Sequence, residues 1–487
     1  MMPLAKAAQV LGARLTDSQT KELRFTSVST DTRKVVQGDL YIALSGEHFD
    51  GADFIAQAAA SGAVAAVVNK DSFEDRGSRI VQETSIPLLI VEDTKLALGQ
   101  LAAYWRSQFD IPLVGITGSN GKTTVKEMLA SILRVAAGSD EAVLATKGNF
   151  NNDIGMPLTL LQLNAQHRYA VIEMGMNHPG EIDYLTRIAC PQVALINNAS
   201  GAHLEGMGSV EAVAHAKGEI FAGLQHEGSA IINADDEFAP LWRSLAGVHS
   251  LLEFGLNPAA DVSGVWNPQA SGLRLMARTP SGDFTADLQV PGEHNARNAL
   301  AATAAAIELN LSLESIVAGL EKFGGVAGRL QRKSARGGAV VIDDTYNANP
   351  ASLNAAIAVL AQTGGQRVLV LGDMGELGEN AAAFHAGIGV TAKQSGIEKL
   401  YALGELSRGA VREFGVNAQH FEGIDALLAA LDVELVTGTT LLIKGSRFMK
   451  MERVVKYLEI GSGQSAVGSG GGPSYSPLTT SNSPRVL

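Results

Sequence analysis

The stretch 111–124, IPLVGITGSNGKTT, joins a short apolar run to three glycines, one lysine and two threonines. Glycine lets backbone N–H groups turn inward around a polyphosphate, and a following helix adds positive potential there. We expect Lys122 to reach the terminal phosphates and the Thr123 hydroxyl to hold Mg²⁺. Ile116 stands where the usual loop spacing has glycine, so the match is to a shorter variant. The alternative is a glycine-rich turn without a ligand. The predicted nucleotide-binding residues of this loop are Gly118, Ser119, Asn120, Gly121, Lys122, Thr123 and Thr124.

Glu173 follows the apolar run 170–172, and we expect it at the carboxyl end of a parallel strand. Ligands of open α/β sheets bind at that end. A carboxylate there, facing the phosphate loop, predicts a Mg²⁺ ligand. The alternative is an acid at a strand end that is exposed to water.

Lys217 falls on the apolar face of a predicted helix over 209–224. An unpaired ammonium on a buried face is costly. Either the side chain reaches water along the helix surface, or the site uses it. His203 lies in the loop before this helix, on the same sheet edge as the phosphate loop, and a metal-binding role is one interpretation. The apolar face of the helix is formed by Val210, Val213, Ala214, Ile220, Phe221 and Leu224.

Strands alternate with helices along the chain, which predicts an α/β protein of three domains and a tail. Residues 1–109 form the first domain, and 110–325 form a central domain with a parallel sheet around the phosphate loop. Within it, a segment of period two before residue 290 predicts an antiparallel ribbon. Residues 326–461 form a third, doubly wound domain. The Gly/Ser/Pro-rich tail, 462–487, is predicted to be disordered.

Composition excludes several classes of protein. The formal net charge is −12, from 38 basic and 50 acidic residues, and predicts no nucleic-acid partner. Cys190 is the only cysteine, so no disulfide within the chain is possible and a reducing cytoplasm fits. No apolar run is long enough for a membrane span, and the first residues lack the apolar core of a signal peptide.

Further polar residues follow predicted strands of the third domain, and Arg329 marks its start in the motif GRLQ. If the three domains stack, these residues face one cleft between domains. Closure of such a cleft would exclude water from a reaction that needs a nucleotide and two other substrates. The residues in question, besides Arg329, are Asp343, Asp344, Asp373, Glu376, Lys444 and Arg447.

These motifs, in this order, resemble the Mur ligases of peptidoglycan synthesis over about residues 25–460. The resemblance is carried by TGSNGKTT, the Glu173 strand, the block from His203 to Lys217, HNARNALAA, GRLQ and DDTYNANPAS. GNFNNDIGMPLTLL, LGDMGELG and KGSRFMKMERVV are similar to motifs of the family member that acts last. The resemblance implies a ligase that joins D-alanyl-D-alanine to UDP-N-acetylmuramoyl-tripeptide, using ATP and forming an acyl phosphate and ADP.

The resemblance also implies roles for individual residues. Asn295 would lie near adenine, and Arg329 and Asp344 would close onto the nucleotide. One Mg²⁺ would be held by Thr123 and Glu173, and a second by His203 and a carbamylated Lys217. The catalytic residues would be Lys122, Glu173, His203 and Lys217. The residues that bind the substrates, the first four at the UDP end, would be Ser29, Thr30, Asp31, Arg33, Asn151, Asn152, Asn347, Asn349, Lys444 and Arg447.

Other readings of the same residues stay open at this point. Folylpolyglutamate synthase shares the fold and chemistry that the resemblance implies, and a sister ligase adds the third peptide residue. A nucleotide switch and a catalytically inactive binding protein represent other classes. The sequence does not distinguish L-lysine from diaminopimelate as the third residue of the peptide. A cytoplasmic monomer is expected.

Overall fold

The computed structural model describes residues 1–46, 49–201 and 204–459. These ranges contain three sheets that follow one another along the chain. The predicted metal ligand His203 and the predicted tail, 462–487, lie outside the described residues. The α/β architecture with three sheets confirms the predicted fold class.

The first sheet has five strands in the order β1-β5-β4-β3-β2, all parallel except β1, which pairs antiparallel with β5. Its buried strands are continuous apolar runs, because helices cover both faces of such a sheet. The strands are β1 Arg14–Leu15, β2 Ser27–Ser29, β3 Asp39–Ile42, β4 Ala65–Asn69 and β5 Leu88–Val91. The helices are α1 Leu4–Leu11, α2 Ile55–Ala60, α3 Lys70–Glu83 and α4 Thr94–Arg106.

The central sheet has nine strands in the order β14-β13-β12-β11-β10-β9-β6-β8-β7. The strands are β6 Leu113–Thr117, β7 Val143–Ala145, β8 Tyr169–Glu173, β9 Val193–Ile196, β10 Ser229–Asn233, β11 Ser250–Gly255, β12 Val262–Gln269, β13 Gly272–Thr279 and β14 Gly282–Leu288. The helices are α5 Lys122–Ala137, α6 Gly155–Leu160, α7 Glu181–Ala189, α8 Leu204–Met207, α9 Val210–Gly218, α10 Ala239–Ala246, α11 Glu293–Glu308 and α12 Leu313–Lys322. β6 to β11 are parallel, and the predicted antiparallel ribbon is three strands, β12 to β14, that extend the sheet.

The third sheet has six strands in the order β15-β16-β20-β17-β18-β19. Only β15 is antiparallel to its neighbour. The strands are β15 Gln331–Ser334, β16 Val340–Asp344, β17 Gln366–Gly372, β18 Lys399–Leu403, β19 Ala418–Phe421 and β20 Thr439–Lys444. The helices are α13 Pro350–Ala361, α14 Ala381–Gln394, α15 Arg408–Phe414, α16 Ile424–Leu431 and α17 Glu452–Leu458.

Helix α4 joins the first sheet to the central one. One apolar core runs from the first sheet through Leu98 and Leu101 of α4 to the helices of the central sheet. The Trp105 indole donates to the Leu163 carbonyl oxygen at 3.0 Å, which anchors the end of α4 to the second sheet. The predicted boundary at residue 109 therefore separates two sheets that share one of their apolar cores, while the other faces of the sheets have cores of their own.

Candidate active site

The phosphate loop connects β6 to α5, as its spacing predicts. Gly118 and Gly121 have φ angles of +155° and +78°, which glycine adopts without strain. A side chain at Gly121 would also meet the amide oxygen of Asn298, 2.5 Å from an added Cβ. The Lys122 ammonium donates to the Gly118 carbonyl oxygen at 2.5 Å and to that of Ser119 at 3.3 Å. The lysine thus folds over the loop at the N-terminus of α5, where a polyphosphate would bind.

Glu173 ends β8 directly beside this loop and is buried. The Thr123 hydroxyl donates to its Oε2 at 2.8 Å, and the Asn151 amide donates to its Oε1 at 2.8 Å. A hydroxyl and a carboxylate at hydrogen-bond distance form an oxygen donor set, which is the type that Mg²⁺ prefers. These residues therefore fit a Mg²⁺ ion at the phosphates.

Lys217 is buried on α9, with 2% of its surface exposed. The helix begins after the cap Ser209, whose side chain accepts from the Ala212 N–H, and a 3₁₀ turn over 219–223 replaces the last turns of the predicted helix. Burial, and then the charge of Lys122, lower the pKa of Lys217 well below its usual value. Within the described ranges, no carboxylate forms an ion pair with it. Its burial excludes the alternative in which the side chain reaches water along the helix surface.

Two residues next to the third sheet, Arg329 before β15 and Asn349 before α13, donate hydrogen bonds to the phosphate loop from across the cleft. Arg329 donates from Nη2 to the Thr123 hydroxyl at 2.9 Å, and its guanidinium lies 4.2 Å from the centre of the Tyr346 ring. Asn349 donates from Nδ2 to Oδ1 of Asn120 at 2.8 Å. The carboxyl ends of the central and third sheets therefore face each other across one cleft of about 1050 Å³.

Asp344 and Lys444, which were predicted to bind different ligands, form one ion pair on the third-sheet side of the cleft. The Lys444 Nζ lies 2.6 Å from Oδ2 of Asp344 and donates to the Asn347 carbonyl oxygen at 2.8 Å. Oδ1 of Asp344 accepts from the Leu330 N–H at 3.2 Å. Burial raises the pKa of Asp344, and Lys444 opposes that shift. The pair holds the segment after Arg329 and the Asn-rich loop in one arrangement.

Comparison with known proteins places this site in a family. The chain matches the models of the Mur ligase family catalytic domain over 24–106, the Mur ligase middle domain over 116–306 and the Mur ligase glutamate ligase domain over 328–447. It is 41% identical over 460 residues to the UDP-N-acetylmuramoyl-tripeptide–D-alanyl-D-alanine ligase of Escherichia coli K12, covering 94% of this chain and 98% of the relative. This chain belongs to the Mur ligase family.

Solved structures support the same assignment. The crystal structure of MurF from Acinetobacter baumannii matches with a TM-score of 0.86 and 36% identity, over 93% of this chain and 98% of that one. The MurF ligase of Thermotoga maritima in complex with ADP matches with a TM-score of 0.76 and 26% identity, over 89% and 97%. The fold of this Mur ligase is thus that of nucleotide-binding members of its family.

The loop predicted to bind the UDP end of the substrate lies outside the cleft, and its residues form hydrogen bonds with one another. Arg33 forms a bidentate ion pair with Asp31, with 2.8 Å from Nε to Oδ1 and 2.9 Å from Nη2 to Oδ2. The Ser29 hydroxyl donates to the Asp31 carbonyl oxygen at 3.0 Å. The Arg33 guanidinium lowers the pKa of Asp31. Thr30 lies between these residues on the same turn, after β2. Its role in substrate binding stays a prediction.

Other predicted residues lie in or beside the cleft. Asn295 is buried in the first turn of α11, where its Nδ2 donates to the Pro291 carbonyl oxygen at 2.7 Å. Oδ1 of Asn152 accepts from the N–H of Gly155, the first residue of α6, at 2.8 Å, so its amide oxygen is already engaged. Arg447 lines the cleft and is exposed. Their contacts with ligands stay predictions.

The site contains residues that the sequence analysis did not assign. Lys126 is fully buried, donates to the Thr146 carbonyl oxygen and lies 2.9 Å from the Glu127 carboxylate. The Thr146 hydroxyl in turn accepts from the Glu173 N–H at 2.9 Å. Lys126 thus supports the backbone next to the predicted Mg²⁺ ligand. A lysine within the apolar positions of α5 was the signal that could have identified it.

A row of asparagine amides behind the phosphate loop connects the predicted Asn295 to two residues without an assigned role, Asn197 and Asn298. Asn197 donates to Oδ1 of Asn298 at 3.0 Å, and Asn298 donates to Oδ1 of Asn295 at 3.2 Å. Asn298 lies three positions after Asn295, which is the helical spacing that places both on one face. Asn197 follows β9, so its strand-end position was the available signal.

Proposed function

We propose that this chain is an ATP-dependent ligase that joins D-alanyl-D-alanine to UDP-N-acetylmuramoyl-tripeptide and forms ADP. The tripeptide carboxylate would become an acyl phosphate, which the amine of D-alanyl-D-alanine attacks. The observation that carries the proposal is the meeting of Lys122, Glu173 and Arg329 in one cleft between two sheets. The Escherichia coli relative bears the name of this activity and is aligned over nearly its full length, which supports the proposed substrates.

The residues around the cleft meet the electrostatic demands of this reaction. A carboxylate and a polyphosphate repel each other, and positive groups must offset the charge that develops during phosphoryl transfer. Lys122 and Arg329 supply two cations to the two sides of the phosphate loop. Closure of the third domain over the loop would also exclude water, which competes with the amine for the acyl phosphate.

The chain's own residues would hold two Mg²⁺ ions. Thr123 and Glu173 would hold one, and His203 with Lys217, as its carbamate, would hold the other. The neutral amine of Lys217 is the form that reacts with CO₂, and the resulting carbamate is an oxygen ligand. When bound, Mg²⁺ neutralises phosphate charge. Across the parts of the chain that the structure describes, no three His, Cys, Asp or Glu side chains form a metal site alone, so phosphate oxygens and water would complete the coordination.

The remaining assignments are part of the same proposal. The turn 29–33 would bind the UDP end of the substrate, and the residues around Asn347 and Arg447 would face the peptide and the incoming amine. Asn295 would lie near adenine. The structure describes no helix that is both long and apolar enough to cross a membrane. A cytoplasmic, monomeric enzyme is consistent with a nucleotide-linked substrate.

The test is ADP release from ATP and Mg²⁺, measured with each substrate omitted in turn. We expect ADP only when both the UDP-linked tripeptide and D-alanyl-D-alanine are present, with a stoichiometric peptide product. The variant Lys122→Ala is the control, and its turnover should fall at least about 10²-fold because charge stabilisation is lost. ADP release that does not depend on D-alanyl-D-alanine would refute the assignment.

A further inference from the structure

Asn349 forms a side-chain hydrogen bond to the phosphate loop from the other side of the cleft. Its Nδ2 donates to Oδ1 of Asn120 at 2.8 Å, although the two residues are 229 positions apart in the chain. Both side chains are carboxamides without a formal charge. No ionic attraction brings the two groups together, so this bond between the loop tip and the third domain depends on their distance and orientation.

The orientation of Asn349 is determined within its own domain. Its Oδ1 accepts from the Ser352 N–H at 2.8 Å, and its backbone N–H donates to the Ser352 hydroxyl at 3.0 Å. This reciprocal pair is the capping box of α13, which also has Pro350 in its first turn. The cap uses the backbone and the amide oxygen of Asn349 and leaves its NH₂ group directed at the loop.

Asn120 is held equally firmly by the central domain. Its backbone N–H donates to Oδ1 of Asn198 at 2.8 Å, and its Nδ2 donates to the Ser200 hydroxyl at 2.9 Å. Its carbonyl oxygen accepts from the Asn197 amide at 2.9 Å, and Asn197 begins the row of amides that ends at Asn295. The side-chain oxygen of Asn120 is thus the group that the central domain leaves for Asn349.

We propose that Asn349 is a positioning residue that sets the tip of the phosphate loop when the domains close, rather than a residue that contacts substrate. The nucleotide site is then complete only in the closed arrangement, because the helix cap of the third domain supplies the last bond to Asn120. This inference rests on the proposed binding of ATP at the loop.

Arg329 approaches the same loop but acts in a different way. Its charged Nη2 lies at the Thr123 hydroxyl, where it can also bind a phosphate directly. The polar groups of Asn349 are engaged within the protein, so its loss would weaken nucleotide binding through the loop geometry. The two contacts therefore predict different responses to substitution.

The test uses Asn349→Ser in the full-length protein. Serine is an equally good helix cap, but its side chain is too short to reach Asn120. We expect the Kd for a non-hydrolysable ATP analogue with Mg²⁺ to rise about fivefold, the effect of one lost hydrogen bond. The melting temperature should stay unchanged, since α13 keeps its cap. Scattering should show less closure at equal analogue occupancy.

Asn69→Ser is the matched control. Asn69 caps α3 by accepting from the Asp71 N–H, and its amide donates to the Glu92 carbonyl oxygen inside the first domain. This variant should bind the analogue as the unmodified protein does. Asn120→Ala completes a double-mutant cycle, in which the Asn120/Asn349 double variant should be no weaker than the weaker single variant.

Three results would overturn the proposal. The first is an unchanged analogue Kd in Asn349→Ser, and the second is a double variant in which the separate effects of the Asn120 and Asn349 substitutions on Kd multiply. The third is a raised KM for D-alanyl-D-alanine with an unchanged analogue Kd. The binding arm needs neither peptide substrate. Failure of the proposed ligase activity would therefore appear as missing ADP release while the analogue Kd values still report on Asn349.

Discussion

The third sheet buries charged groups at both ends of its strands, which form the edge that faces the cleft and the edge away from it. The two edges differ in the partners of these groups. At the edge away from the cleft, the buried carboxylate of Glu434 lies 2.5 Å from the Lys399 ammonium and accepts from the Tyr401 hydroxyl at 2.7 Å and the Gln366 amide at 3.1 Å. Burial, and then Glu434, raise the pKa of Tyr401. All of these partners belong to one domain, so this cluster is satisfied without a ligand.

At the cleft edge, Asp344 and Lys444 pair within the third sheet, but other charged groups are bonded across domains or lack a counter-charge. Arg329 contacts a threonine of another domain, and across the cleft Lys217 is buried without a carboxylate partner among the described residues. A buried charge that is paired within its own domain has its desolvation offset by its partner, whereas a buried amine without a counter-charge raises the free energy of the apo protein. The comparison indicates that the cleft is organised for ligands and the opposite edge for folding.

Lys217 should show the largest effect if the cleft is a ligand site. Lys217→Ala should lower turnover at least about 10²-fold, because a ligand of the second Mg²⁺ is lost and with it the charge stabilisation that this ion supplies. Formate or acetate should restore part of the activity by filling the vacated space. Lys217→Arg is the control, since arginine is of similar length but carries a positive charge and forms no carbamate. An active Lys217→Arg, measured by ADP release, would contradict the carbamate.

Glu434 should show the opposite pattern, with an effect on stability alone. Glu434→Gln leaves Lys399 without its counter-charge and should lower the free energy of unfolding by about 2 kcal/mol, below the full cost for a buried pair because Lys399 is partly exposed. The kcat should stay unchanged. The ion pair of Arg367 and Glu398, whose carboxylate is 41% exposed against 2% for Glu434, provides the matched control. Glu398→Gln should cost less than about 1 kcal/mol, as surface pairs do. Equal losses in both variants would remove the distinction between the pairs.

His294 should have the smallest effect on stability, and the pH dependence of unfolding tests it. It is half-buried at the cleft, and burial, followed by Lys444 and Arg297, lowers its pKa to about 4. The unfolded imidazole binds its proton near pH 6.5, so the unfolded state holds more protons between pH 6.5 and 4. The free energy of unfolding should therefore decrease as the pH is lowered from 6.5 to 4, by about 1–2 kcal/mol more than in His294→Gln. Denaturant unfolding from pH 7 to 4 measures the difference, and parallel curves for the two proteins would contradict it.

The sequence by itself determined the local features of this Mur ligase. The loop 118–124 is recognisable because its glycines, lysine and threonines are contiguous and stand between a strand and a helix. Glu173 could be placed because a strand end is a local property, and Lys217 because helical spacing identifies its face. The resemblance to the Mur ligases depended on such contiguous motifs in one order.

The tertiary structure decided which distant groups meet. Asp344 pairs with Lys444, Asn349 with Asn120, and Lys126 supports Thr146 and, through it, Glu173. Each of these contacts joins separate strands or helices, and their sequence spacing carries no period that predicts it. Side-chain hydrogen bonds depend on distances of about 3 Å between atoms, and only the packing of the sheets and the closure of the cleft set distances at that scale. The roles of single polar residues therefore follow from the packed structure, whereas the fold and the phosphate loop follow from the sequence.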